Sequence, residues 1–211
     1  MPDWDADGER LQANVLRALD AASRHARERL PVTADDMRAW HRLLMDGLDV
    51  PEAEELDIDP VLLVGHFRGP PMLPGVENAV GSHDGTLSSK VAQACSAFFE
   101  QVNAVLVALD ALWPVERLND LNEDGLYAVV EAAAWAHVEW IRIHPFANGN
   151  GRTARLLANS ILERYGLPPV LRTRPRPAGS YVIAASLGTR GDTAPMQRFI
   201  LGQILVRTRR S

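Results

Sequence analysis

His144-Pro145-Phe146-Ala147-Asn148-Gly149-Asn150-Gly151-Arg152-Thr153-Ala154-Arg155 decides how this chain is read. The window holds one candidate base, a glycine-rich turn and two arginines three apart, the parts of a site for nucleotide phosphate. Gly149 and Gly151 bracket Asn150, and all three residue types reach positive φ at little cost. A turn alternating in this way points several backbone N–H groups into one concavity, a nest for an anion. From Arg152 to Tyr165, Leu156, Leu157, Ile161 and Leu162 fall on one helical face, and Gly166 and Pro168-Pro169 end the run. The nest therefore opens on a helix N-terminus, where unpaired N–H groups and the macrodipole favour phosphate.

Arg152 and Arg155 share a face of that helix and lean back toward its start. Two cations in a first turn oppose the dipole at roughly 0.3–1 kcal/mol each; bound phosphates would reverse the sign through charge-assisted forks. Either arginine alone reads as a solvated side chain, but the pair behind a Gly-Asn-Gly turn reads as an anion site. On the other side of the turn, Asn122 caps a helix running through Leu126, Val129, Val130, Ala133, Trp140 and Ile141. Pro145 stops it, so His144 stands at a helix-to-loop corner beside the nest. An imidazole with an ordinary pKa of about 6.5 serves there as general base. Phe146 reads as an anchor.

Working outward, Leu11, Val15, Leu19 and Ala22 mark a first amphipathic helix. Thr33 with Asp36 caps a second, with Met37, Trp40, His41 and Leu44 on one face. A long helix is expected from Ser88 to Leu112, with Val91, Cys95, Phe98 and Val102 inward. Tyr181–Leu187 and Thr193–Val206 close the chain, with Pro195 in a first turn. Residues 68–86, rich in proline and glycine, form the one expected non-helical excursion, either a short hairpin or a plain surface loop. The fold class is all-α, a helical bundle with a small β-hairpin.

The 211 residues, 46% hydrophobic, suffice for one well-cored domain, and a net charge of −5 argues against a general polyanion binder. Arg172, Arg174 and Arg176 lack the interleaved aromatics of a single-strand reader, so no nucleic-acid partner is expected. Cys95 is a lone core cysteine, and no Cys/His cluster suggests zinc. Asp57 and Asp59 read as solvated loop charges. No hydrophobic run of transmembrane length and no signal peptide are read, so a cytoplasmic protein without a membrane partner is expected.

The window resembles the Fic signature, His-Pro-Phe-x-Asp/Glu-Gly-Asn-Gly-Arg-x-x-Arg, at every position but one. Weaker resemblance extends over Trp40-His41-x-x-Leu44, Gly65-His66-Phe67-Arg68, Ala136-His137, Tyr181 with Ala185, and Gly191-Asp192-x-x-Pro195. It covers roughly residues 31–203, which leaves 1–30 as an N-terminal helical appendage to a Fic-like catalytic domain over 31–211. The resemblance implies a Fic-type bundle with a target-docking flap at 68–86. It implies transfer of a nucleoside monophosphate, usually AMP from ATP, to a Ser, Thr or Tyr hydroxyl of a target protein. His144 would be the base. The Gly149–Gly151 backbone, Asn150 and Arg152 would hold the α- and β-phosphates, and Arg155 the γ-phosphate. Gly151 stands where the related Doc-type kinases carry lysine, which favours nucleotidyl transfer over phosphorylation.

Asn148 departs from the pattern, because the family places there a carboxylate that helps hold Mg²⁺, a hard cation suited to charged oxygens. Weakened AMP transfer, altered donor chemistry and a non-catalytic nucleotide-binding module are the three readings of that change. The family's inhibitory Ser/Thr-x-x-x-Glu-Gly/Asn motif is missing: Glu77-Asn78 comes nearest, with Leu73 in the hydroxyl position. The second motif arginine is then either unrestrained or restrained by a small antitoxin-like protein in trans.

Overall fold

In the computed structural model, which describes residues 8–80 and 83–208, helix α1 (Glu9–Arg27) buries Leu11, Val15, Ala18 and Ala22 as a single stripe. Asn14, also buried on it, donates to the carbonyls of Leu44 and Asp46 and so holds the end of α2 (Ala34–Met45). The α2 start is the expected capping box: Thr33 accepts from the Asp36 N–H while the Asp36 carboxylate accepts from Thr33 N–H. Two short helices absent from the sequence reading follow, α3 (Pro51–Leu56) and α4 (Pro60–Leu63), each opened by a proline. Asp59, read as a solvated charge, caps α4 by accepting from Val61 N–H, and Asp57 ends α3 in the left-handed region.

The excursion of residues 68–86 contains a two-residue antiparallel ladder, β1 (Ala79–Val80) with β2 (His83–Asp84), and a bridge between Gly69 and Leu73. Residues 81–82 of the expected hairpin lie outside the described residues. The long helix α5 (Ser88–Leu112) has the expected limits and buries Val91, Cys95, Phe98, Val102, Leu106 and Leu109. Contrary to the sequence reading, α5 is long and apolar enough by length and composition to cross a membrane; here that buried stripe is part of the core. A 3-10 turn (Val115–Asp120) leads to α6 (Glu123–Ile143), capped by Asn122, which accepts from Gly125 N–H.

After the motif loop come α7 (Asn150–Arg164), α8 (Ser180–Gly188) and α9 (Ala194–Thr208). α7 is buried on nearly every side, against α6, α1 and α2, while α8 and α9 pack on each other and on α6. The residues read as an N-terminal appendage thus lie against the motif helix and share its core. Each fully buried Leu or Val in it contributes about 1.5–3 kcal/mol. Arg164 on α7 secures the α1–α2 junction, with a forked pair to Asp110 and donations to the carbonyls of Arg29 and Leu30. Behind the motif, Trp140 meets Phe67, Phe98, Phe99 and Phe146 at centroid separations of 5.3–6.1 Å.

Candidate active site

His144 ends α6 in the left-handed region, φ 53°, which turns the chain sharply into Pro145. Its Nδ1 lies 3.0 Å from the Ile141 carbonyl, which can only accept. Nδ1 therefore carries the proton of the neutral ring, and Nε2 keeps the lone pair that a base needs. Burial, the largest effect, holds this imidazole below its ordinary pKa; the Ile141 hydrogen bond opposes it, and the cation of Arg68 adds a smaller lowering. The ring is neutral, and proton-accepting, at neutral pH.

The loop that follows is held from three directions. Arg68, fully buried, donates through its backbone N–H to Pro145, through Nε to the His144 carbonyl and through its Nη groups to Ile143, Val76 and Thr86 carbonyls. Phe146 lies in the core, stacked on His41 at 3.9 Å. The His41 ring is committed at both nitrogens. Nδ1 accepts from Gly65 N–H, so Nε2 carries the proton and donates to the Asn148 carbonyl. Asn78, beside β1, donates to the carbonyls of Phe146 and Ala147. His41 and Arg68 belong to segments singled out by sequence, but the roles of both, and of Asn78, depend on contacts distant in the chain.

Gly149 caps α7 at φ 77°, and a Cβ there would stand 2.9 Å from His41 Nε2, so the position demands glycine twice over. The alternation of the expected nest is confined to one step, from Gly149 in the left-handed region to Asn150, and Gly151 continues the helix. The Asn150 side chain clamps the loop, accepting from Phe146 N–H and donating to the Phe146 carbonyl. What faces an anion here is the start of a helix with its unsatisfied N–H groups. Both arginines fold back over it. Arg152 Nη2 comes within 3.8 Å of a Cβ built on Gly149, and Arg155 Nη1 within 3.2 Å of one on Gly151. Arg155 is 3% exposed, donates to the Tyr181 hydroxyl and the Thr173 carbonyl, and leaves Nε unpartnered. Among the described residues it has no carboxylate partner.

Asn148 turns its amide oxygen to Gly149 N–H. It contributes a neutral, already engaged oxygen where the resemblance calls for a carboxylate. No group of three or more His, Cys, Asp or Glu suited to a metal lies among the described residues. The residues present do not fit a protein-held Mg²⁺. Glu77, nearest to the inhibitory motif, accepts from Ser88 N–H at the start of α5 and pairs with Arg68, not with Arg155.

Comparison with known proteins agrees with this geometry. The chain is 29% identical over 199 residues to the protein adenylyltransferase Fic of Drosophila persimilis and 28% identical to that of Drosophila melanogaster, each covering 92% of it. It spans about a third of the length of these relatives, 32% and 33%. A Fic domain containing signaling protein from Bacteroides thetaiotaomicron superposes with a TM-score of 0.64 at 20% identity, over 92% of this chain and 68% of that one. Fic-1 (residues 134–508) of C. elegans gives 0.62 at 23% identity, over 100% and 52%. These two establish the fold. The Fic/DOC family model matches residues 31–162, more than half of the chain and all of the motif. The chain belongs to the Fic/DOC family.

Proposed function

We propose that this chain transfers AMP from ATP to a Ser, Thr or Tyr hydroxyl of a target protein. The observation that carries the proposal is Arg155, a buried guanidinium without a carboxylate, folded over a helix N-terminus that follows directly on a loop carrying a neutral histidine base. A buried cation without a counter-ion is costly, and a polyphosphate supplies the missing charge. His144 Nε2 takes the proton of the hydroxyl as its oxygen bonds to the α-phosphorus. The bond from that phosphorus to the bridging oxygen breaks, and pyrophosphate leaves. Such a transfer depends on positioning and charge neutralisation more than on covalent work by the protein. The backbone N–H groups at Gly149–Gly151 and Arg152 are assigned to the α- and β-phosphates, and Arg155 to the γ-phosphate. Any Mg²⁺ is assigned to the nucleotide as its own counter-ion, without a carboxylate from Asn148.

The β1–β2 segment is proposed as the target-docking flap, since Asn78 and Arg68 tie its base to the motif loop. The domain is taken as 31–211 with α1 as an N-terminal addition, acting in the cytoplasm on protein targets without nucleic acid or membrane. An antitoxin-like partner, where one exists, would present a carboxylate to Arg155.

The test is incubation with α-³²P-ATP, Mg²⁺ and a host lysate beside His144→Ala. Label on protein that disappears with the variant supports transfer. The engaged amide of Asn148 favours a second reading, a non-catalytic nucleotide-binding module. It predicts ATP binding with no label in either protein.

A further inference from the structure

We propose that Tyr181 and His137 are positioning residues that fix the Arg155 guanidinium for the terminal phosphates; the inference rests on the nucleotide reading above. His137 sits on α6 at 0% exposure and Tyr181 on α8 at 1%. The His137 ring makes one hydrogen bond, Nε2 to the Tyr181 hydroxyl at 3.0 Å, and leaves Nδ1 buried without a partner. As core residues these two are expensive, because an apolar pair of similar volume would fill the space with no polar group to satisfy. Their polar atoms converge on one target. Arg155 Nη1 donates to the Tyr181 oxygen at 2.9 Å, and Nη2 to the Thr173 carbonyl at 3.1 Å.

The donor direction is consistent along the chain. The Tyr181 oxygen accepts from Arg155, so its own proton is available to His137 Nε2, whose lone pair faces it when Nδ1 carries the ring proton. A protonated ring would present a second donor to the same hydroxyl. Burial and the charge of Arg155 hold His137 down at about 3, so the ring stays neutral. With Nη1 and Nη2 anchored to different elements, the guanidinium plane cannot rotate. Nε and one N–H on each Nη remain for ligand oxygens. A guanidinium held in one orientation loses less rotational freedom when it forks a phosphate.

The test is nucleotide affinity of the full chain by calorimetry, with ATP and AMP as probes. Tyr181→Phe removes one oxygen and keeps the ring. It should weaken ATP about tenfold, the scale of one hydrogen bond to a charged group, and leave AMP unchanged. In an Arg155→Ala background the same change should have no further effect on ATP, since the two act as a unit. His137→Leu, which removes only the hydroxyl's acceptor, should shift the ATP-to-AMP ratio in the same direction by less, and serves if Tyr181→Phe does not fold. Equal weakening of ATP and AMP, or an undiminished Tyr181→Phe effect without Arg155, would overturn the positioning role. Wild-type protein that binds ATP no better than AMP would instead overturn the assignment of Arg155 to the terminal phosphates, and the brace with it.

Discussion

Acidification from pH 7 to pH 5 is expected to remove about 4 kcal/mol of folding stability through two histidines, His41 and His137. Burial, the largest cause in each case, takes both rings from an ordinary 6.5 down to about 3. In the unfolded chain each gains a proton near pH 6.5, whereas folded neither does until about 3. The unfolded state therefore binds more protons across that window, and stability falls as pH falls through it. Integrated from 7 to 5, each ring accounts for about 2 kcal/mol. His144, also held low, adds in the same sense. The carboxylates held below their usual range, Asp46, Glu77 and Asp110, titrate in the unfolded chain near pH 4 and contribute little in this interval. The structural cause is visible at His41: a proton on Nδ1 would face the Gly65 N–H donor. The assay is urea unfolding at pH 7, 6 and 5 for the wild type and for His137→Leu. The variant's loss between pH 7 and pH 5 should be smaller by about 2 kcal/mol, whatever its absolute stability. Parallel pH dependences in the two proteins would refute the reasoning.

Arg68→Met should cost about 3 kcal/mol or more in thermal or urea melts, because four main-chain carbonyls lose their buried donor and Glu77 its cation. Asn148→Asp should make ATP binding more dependent on Mg²⁺, measured as the ratio of affinities with the ion and with EDTA; an unchanged ratio counts against the reading of this position. Gly149→Ala should lose about 2 kcal/mol, from a left-handed φ and a Cβ 2.9 Å from His41, and should weaken ATP in the same calorimetric assay. Asp110→Asn should destabilise by about 2 kcal/mol, since Arg164 would keep a buried charge without its partner.

What the chain discloses before folding is what local chemistry controls. The Thr33–Asp36 box, the Asn122 cap, the stripe from Val91 to Val102 and the stop at Gly166 each depend on residues a few positions apart, and each has its expected place. Asn150 shows where that reasoning ends. A Gly-Asn-Gly turn is equally compatible with an amide facing an anion and with one turned inward. The choice falls to Phe146, which enters the core against His41 and brings its own N–H and carbonyl within reach of Asn150. His41 is more than a hundred residues away, and no local pattern encodes the pairing. The helices α3 and α4 escaped for a different reason: at six and four residues they are too short to show a periodicity, and only Pro51 and Pro60 mark them. Two histidines on apolar helix faces carry a further signal. His41 lies on the buried face of Met37, Trp40 and Leu44, and His137 lies in an alanine-rich run with Ala133, Ala134 and Ala136. A histidine on an apolar stripe has no neighbour to satisfy it along its own helix, so it requires a polar partner from elsewhere in the fold. In this protein the partners are the motif loop for His41 and, through Tyr181, the second motif arginine for His137. A misplaced-looking polar residue on an apolar helix face is therefore a pointer toward the site, even though its partner cannot be named until the chain is folded.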